Sequence, residues 1–260
     1  MFSKSIDIIR ENWSFYLGFI MILTVMLGIQ DAGYFKSGGS VGTTVIWLLI
    51  ARYIHRSALF GLKFAETNAD RSTDMRFGGF ILKGLLLGGV AIALAVPFMF
   101  LTLSPGSGVS GLTYLVLIVA FLIAYSVVLG LAGSWLPADV YGQNKGLGAA
   151  FKRGMSNFGS VFIRILGITL LGVAIPIALV IAFLGAGVSA SVVTEGHINV
   201  TGAIFVVLMQ TLQCFCITVT SVVLSHYYLT YEGVLPGQPP RREAEPSTDA
   251  FKPPGQGGHL

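Results

Sequence analysis

Residues 161–184 read Val-Phe-Ile-Arg-Ile-Leu-Gly-Ile-Thr-Leu-Leu-Gly-Val-Ala-Ile-Pro-Ile-Ala-Leu-Val-Ile-Ala-Phe-Leu, with Arg164 as the one ionisable side chain. A helix needs about 20 apolar residues to cross a hydrocarbon core about 30 Å thick, and this run is long enough. Five further runs of similar character occupy residues 13–30, 40–56, 80–103, 112–134 and 202–228. Of the 260 residues, 54% are hydrophobic and 11% charged, and the mean hydropathy is +0.78. Water-soluble domains carry about 25% charged residues, so most of this surface is expected to face lipid. The sequence therefore predicts an all-α polytopic membrane protein with six transmembrane helices.

The basic residues predict its orientation. Lys and Arg in short loops stay on the cytoplasmic side during insertion. Six spans place fifteen of the sixteen on one side, leaving Lys36 with Asp31, Glu195 and His197 on the other. Both termini are then expected to be cytoplasmic. The first apolar run is read as a retained helix, because Asp7 and Glu11 accompany Lys4 and Arg10 in its flank and no small-residue cleavage site closes it. Residues 1–232 form the expected membrane domain. Residues 233–260 hold Pro236, Pro239, Pro240, Pro246, Pro253 and Pro254 among Gly and charge, and are read as a disordered cytoplasmic tail. The net charge of +4 and pI of about 9.1 are spread over the inner loops, which suits anionic headgroups and excludes a nucleic-acid domain.

Two loops carry more than connections. Leu147, Phe151, Met155 and Phe158 recur at spacings of four, four and three, with Lys145, Lys152 and Arg153 off that stripe. This predicts a helix in the fourth loop, lying in the membrane interface or packed on neighbouring loops. The second loop is similar in kind, with Leu59, Phe60, Leu62 and Phe64 ahead of a polar stretch over 66–76. Phe77-Gly78-Gly79 with Lys83 and Leu85 matches Phe158-Gly159-Ser160 with Arg164 and Leu166 at an offset of 81 residues, as a parallel duplication of the two loops would leave.

Residues that could carry chemistry are few. Arg52, His55 and Arg56 share neighbouring turns near the inner end of the second run, where the arginines would snorkel to phosphates. Alternatively Arg52 forms an anion or headgroup site with Arg164 or Lys83. The lipid or anion contacts expected are thus Arg52, Arg56, Lys83, Lys152, Arg153 and Arg164. Asp139 is expected to cap the next helix. Gln210, Cys214, Thr218, Ser221 and Ser225 form a helical stripe on the last run, with Gln213 beside it. Such side chains join helices or line a solute path. Pro97 and Pro176 are expected to break or kink their helices, and Gly84 with Gly88, like Gly130 with Ser134, to allow close helix approach. Tyr227, Tyr228 and Tyr231 suit an interfacial aromatic belt. Cys214-Phe215-Cys216 points its thiols to different faces, and the four histidines are scattered, so no metal, redox cofactor or other cofactor is expected. With no phosphate loop, triad or paired carboxylates, an enzyme is not expected.

Three stretches together resemble a known family. Ser3-Lys4-Ser5-Ile6-Asp7-Ile8-Ile9-Arg10-Glu11-Asn12-Trp13 is similar to the amphipathic entry helix of the YciC-like bacterial inner-membrane proteins and of the membrane domain attached to some glycerophosphodiester phosphodiesterases. Leu136-Pro137-Ala138-Asp139-Val140, followed by residues 148–155, resembles their Pro after a span and then an interfacial helix. Tyr227-Tyr228-Leu229-Thr230-Tyr231-Glu232-Gly233 looks like their closing segment. Gly154 stands where the family often has Ser, and the closing segment lacks the usual Arg. The resemblance implies a six-helix fold in the bacterial inner membrane without catalytic residues of its own. The function expected is a non-catalytic membrane scaffold or accessory subunit that binds lipids and a membrane-protein partner or a second copy of itself; the rival is a channel or carrier for a small solute along the stripe of the last helix.

Overall fold

The computed structural model describes residues 1–34, 39–61, 63–64, 77–100, 111–143, 146–187, 189, 191–194 and 196–237. The elements are α1 (Phe2–Glu11), α2 (Trp13–Asp31), α3 (Gly39–Phe60), α4 (Phe77–Phe100), α5 (Gly111–Ala132), α6 (Trp135–Val140), α7 (Leu147–Ser156), α8 (Phe158–Gly185), a hairpin of β1 (Val193–Thr194) and β2 (His197–Ile198), and α9 (Val200–Glu232). Among the described residues five stretches are long and apolar enough to cross a membrane: Trp13–Asp31, Phe77–Phe98, Thr113–Ala132, Phe158–Gly185 and Val200–Glu232. The chain is an all-α, multi-pass membrane protein. The second expected span, α3, forms a 22-residue helix but is absent from those five. Arg52, His55 and Arg56 and the polar residues of its first turns lower its hydropathy.

Contacts at the helix ends show that the long helices alternate in direction. At one end, Phe64 N donates to Asn12 Oδ1 (2.8 Å), Lys4 Nζ donates to the carbonyl of Ala58 (2.9 Å), and Arg153 of α7 meets Glu232 at the close of α9 (3.0 Å). At the other end, Val192 N donates to Asp31 Oδ2 (2.7 Å), and Gly42 lies beside Met26. The described cations Lys4, Arg52, Arg56, Lys83, Arg153 and Arg164 gather at the first end, where α1, α6 and α7 also pack. The second end carries Asp31 and the hairpin.

Local signals explain the boundaries. α9 begins where the Asn199 side chain accepts from Gly202 N, and ends at Gly233 in the left-handed region (φ 64°), with Val234 N bonded back to Leu229 O. Its 33 residues span about 50 Å, so it projects beyond a hydrocarbon core about 30 Å thick. Gly202 is dictated by contact, since a Cβ there would overlap the Ser191 carbonyl. Pro97 and Pro176 lie inside α4 and α8 and neither ends its helix, contrary to the expected breaks. A proline removes one backbone hydrogen bond, and the bonds on either side keep the helix continuous.

α6 is an element the sequence reading did not separate from its loop. It turns back under the bundle and packs on α3, α4 and α9. The helix expected in the fourth loop is α7, whose Leu147, Phe151 and Met155 are exposed while Ala150, Arg153 and Gly154 are buried. These three side chains face away from the protein, whereas Phe158, the fourth of the expected stripe, begins α8 and packs on Gly130. The polar stretch expected to follow in the second loop, with Leu62, lies outside the described residues, as do Lys145 and the tail beyond residue 237.

Candidate functional site

α9 is the organising helix, and it presents two adjacent stripes to the bundle. The first is the stripe expected from the sequence: Gln210, Cys214, Thr218, Ser221 and Ser225 are all buried. Thr218 Oγ1 donates to Cys214 O (2.7 Å), so the 2.8 Å bond between Thr218 and the Tyr16 hydroxyl has Tyr16 as donor. Ser225 Oγ meets His55 Nδ1 at 2.8 Å. These contacts tie α9 to α2 and α3 across 202 and 170 residues of sequence and occupy the Thr218 and Ser225 hydroxyls. Hydroxyl pairs of this kind join membrane helices at roughly 0.6 kcal/mol each in measured cases. Gln210 Oε1 is buried and has no hydrogen-bond partner.

The second stripe was not read from the sequence. Met209, Gln213, Cys216, Thr220 and Leu224 recur at spacings of four, three, four and four and line a cavity of about 650 Å3. α3, α4, α5, α8 and α9 surround it, with Leu136 of α6 at one side. The wall is mainly apolar: Trp47, Leu48, Leu87, Phe121, Leu129, Ile168 and Val173 contribute, and Pro176 faces it from α8. Gln213, Thr220, Ser221, His55 and Tyr125 supply polar points. Thr169 is also in the wall, but its hydroxyl already donates to the Ile165 carbonyl (2.9 Å). Concave, mainly apolar spaces of about 300–1,000 Å3 with few polar groups are the usual form of a small-molecule site.

Small residues shape the cavity wall. A Cβ on Gly84 would collide with the Leu48 side chain, so α3 and α4 touch there. One turn on, Gly88 lines the cavity, and a Cβ there would meet nothing within 4 Å. Of the small pair read from the sequence, one member makes the helix contact and the other leaves space. In α8, a Cβ at Gly172 would lie 3.0 Å from Cys216 Sγ. Gly130 packs under the Phe158 ring, as expected for close approach.

Of the cations expected at lipid, Arg52, Arg56, Lys83 and Arg153 are drawn into the protein. Arg52 and Arg56 are buried, each 6% exposed, and Arg52 lies over the Phe77 ring at 5.5 Å. Lys83 pairs with Asp139 of α6 and sits 5.1 Å from the Trp135 ring. Asp139 is thus an ion-pair partner across 56 residues, where capping was expected. Arg153 is 4% exposed; its Nη1 meets Glu232 (3.0 Å), its Nε donates to Ser134 Oγ (3.2 Å), and its guanidinium lies 5.3 Å from the Tyr228 ring. Arg164 lies over Tyr227 at 5.5 Å, and Lys152 is exposed. Four of the six cations therefore sit over aromatic faces, an arrangement worth about 0.5–2 kcal/mol depending on desolvation.

Chemically, the cavity has hydroxyls, an amide and an imidazole, which bind and orient. Among the described residues no three His, Cys, Asp or Glu side chains are grouped to hold a metal. The chain matches no family model, no curated protein and no solved structure.

Proposed function

We propose that this protein is a non-catalytic integral membrane scaffold or accessory subunit that holds lipid in the cavity between α3, α4, α5, α8 and α9 and offers its lipid-facing surface to a membrane-protein partner or a second copy. The observation that carries the reading is the division of α9. Its polar stripe is buried and bonded to Tyr16 and His55 through Thr218 and Ser225, whereas the open face beside it, which Ser221 and His55 also reach, is mainly apolar. A buried, bonded stripe supports helix association, and an apolar cavity suits hydrocarbon. Six spans with both termini cytoplasmic follow if α3 crosses as well, which its 22 residues and its alternation with α2 support. The one-sided cations and the resemblance to the YciC-like proteins favour the inner membrane of a bacterium. The exposed stripe of α7 suits an interfacial position.

Purification in mild detergent, with mass spectrometry of retained proteins and lipids, tests this reading. A stoichiometric protein partner or a specifically retained lipid is expected; a lone monomer retaining neither would count against it. Gly88→Leu puts a side chain into the cavity and is expected to weaken lipid retention without unfolding the chain, since Leu is the better helix former and its Cβ meets nothing within 4 Å. The second reading, a solute carrier, draws on Gln213, Thr220 and Pro176 in the cavity wall. It requires that Gln213→Leu abolish a measurable solute flux in vesicles; unchanged flux removes it. For topology, single cysteines at Lys63 and Asp31 in a chain lacking Cys214 and Cys216 are expected to label from opposite sides of the membrane.

A further inference from the structure

At the cation-rich end a second pocket of about 470 Å3 lies among α1, the last turns of α3 and α9, and residues 233–236. Val222, Leu229, Val234 and Leu235 give it apolar walls, and Lys4 and His226 are its ionisable lining residues. Lys4 Nζ donates to Ala58 O at 2.9 Å, which uses one of the three N–H groups of the ammonium. Arg164 of α8 does not line the pocket but reaches its edge through Met1 and Tyr227, the chain neighbour of His226. Its Nη1 lies 2.7 Å from Met1 Sδ, and its guanidinium covers Tyr227, whose ring also meets the His226 ring edge-on. Arg164 and Lys4 both act electrostatically on His226. The described ion pairs that occupy carboxylates at this end belong to Lys83 and Arg153, and no described ion pair involves Lys4, Arg164 or His226. Burial holds the Lys4 ammonium below its ordinary pKa. Alongside, α1 turns Phe2 and Ile6 outward, 58% and 56% exposed, and Trp13 follows at 64%. Such a row places α1 at headgroup depth.

We propose that Lys4, Arg164 and His226 form a phosphate site for the headgroup of an anionic phospholipid, with an acyl chain against the apolar wall of this pocket. The site rests on the membrane reading above and is separate from the central cavity. Charge-assisted bonds from a lysine and an arginine recognise phosphate oxygens. A free phosphate shares that chemistry, but the pocket's apolar walls and the outward Phe2 and Ile6 argue for the lipid.

Native mass spectrometry of the full chain in mild detergent, titrated with phosphatidylglycerol or phosphatidylcholine, reads the site directly. The unaltered protein is expected to bind phosphatidylglycerol in preference. K4Q combined with R164Q and H226Q is expected to lose that preference, with affinity lower by at least about tenfold. K4R with R164K keeps the charges and is expected to retain it. Should the triple variant fail to fold, K4Q alone, at a lysine on the short α1, is expected to show a smaller loss in the same direction. Equal binding by the unaltered and substituted proteins overturns the site. So does full displacement of the lipid by millimolar inorganic phosphate, which would mark a free-anion site. Gly88→Leu distinguishes this proposal from the cavity reading: it is expected to leave phosphatidylglycerol preference intact, and loss of the preference in that variant alone would move the headgroup to the central cavity.

Discussion

Replacing Glu232 with Gln is expected to lower stability by about 3–5 kcal/mol, because it leaves the guanidinium of Arg153 buried without its counter-charge. The Arg153 side chain is 3% exposed and that of Glu232 16%, so solvent cannot substitute for the lost carboxylate. Arg153 Nη2 already has no hydrogen-bond partner, and the remaining contacts to Ser134 and Tyr228 do not supply negative charge. The pair links α7 to the end of α9 across 79 residues, so its loss removes a tie between the two helices, while α7 keeps its packing on α5. Thermal unfolding in detergent reports this through Cys214, a free thiol 3% exposed in the native chain. Its modification midpoint should fall sharply in Glu232→Gln. Arg153→Met together with Glu232→Leu should recover much of the loss, since removing both charges leaves no buried ion unpaired. If the single and double variants melt together with the unaltered protein, the pair contributes nothing to stability.

Gly154→Ala is the second substitution with a large expected effect. A Cβ at Gly154 would overlap the carbonyl of Leu131 and lie 2.7 Å from Gly130 O. Both atoms are backbone, so neither can rotate away, and α7 would have to lift from α5. Overpacking of this kind costs about 1–3 kcal/mol, against which the better helix propensity of Ala returns less than about 1. Gly148→Ala, on the same helix where a Cβ meets nothing within 4 Å, is the control and should be neutral or slightly stabilising. An unfolding midpoint lowered by several degrees in the first and not the second is the expected pattern. Equal midpoints would mean that α7 does not rest on α5 at this point.

The long helices were legible because a run of apolar residues reports its solvent directly. α2, α4, α5, α8 and α9 each include most of an expected run and differ from it by a few residues at the ends. The four–four spacing of Leu147, Phe151 and Met155 falls on α7, whereas Phe158, expected to continue the same stripe, begins α8. The polar stripe of α9 was predicted to face protein, and it does. The cavity stripe beside it was missed. Its signal was the repetition of Met209, Gln213, Cys216 and Thr220, but in a helix apolar on every side such a row has no contrast with its neighbours.

What the sequence by itself determined is that the chain holds several apolar runs long enough to cross a bilayer and that the cations collect at one end, since both follow from the cost of moving single residues between water and hydrocarbon. The tertiary structure alone decided which cations are spent inside the protein. Arg153 finds Glu232, Lys83 finds Asp139, and Arg52 finds Phe77. Each partner lies at least 25 residues away, on another helix. Periodicity shows which face a side chain occupies, not which helix stands opposite it. In a bilayer, where lipid is as apolar as a neighbouring helix, that choice is made by close contact at residues such as Gly84 and Gly154, and only the packed bundle displays it.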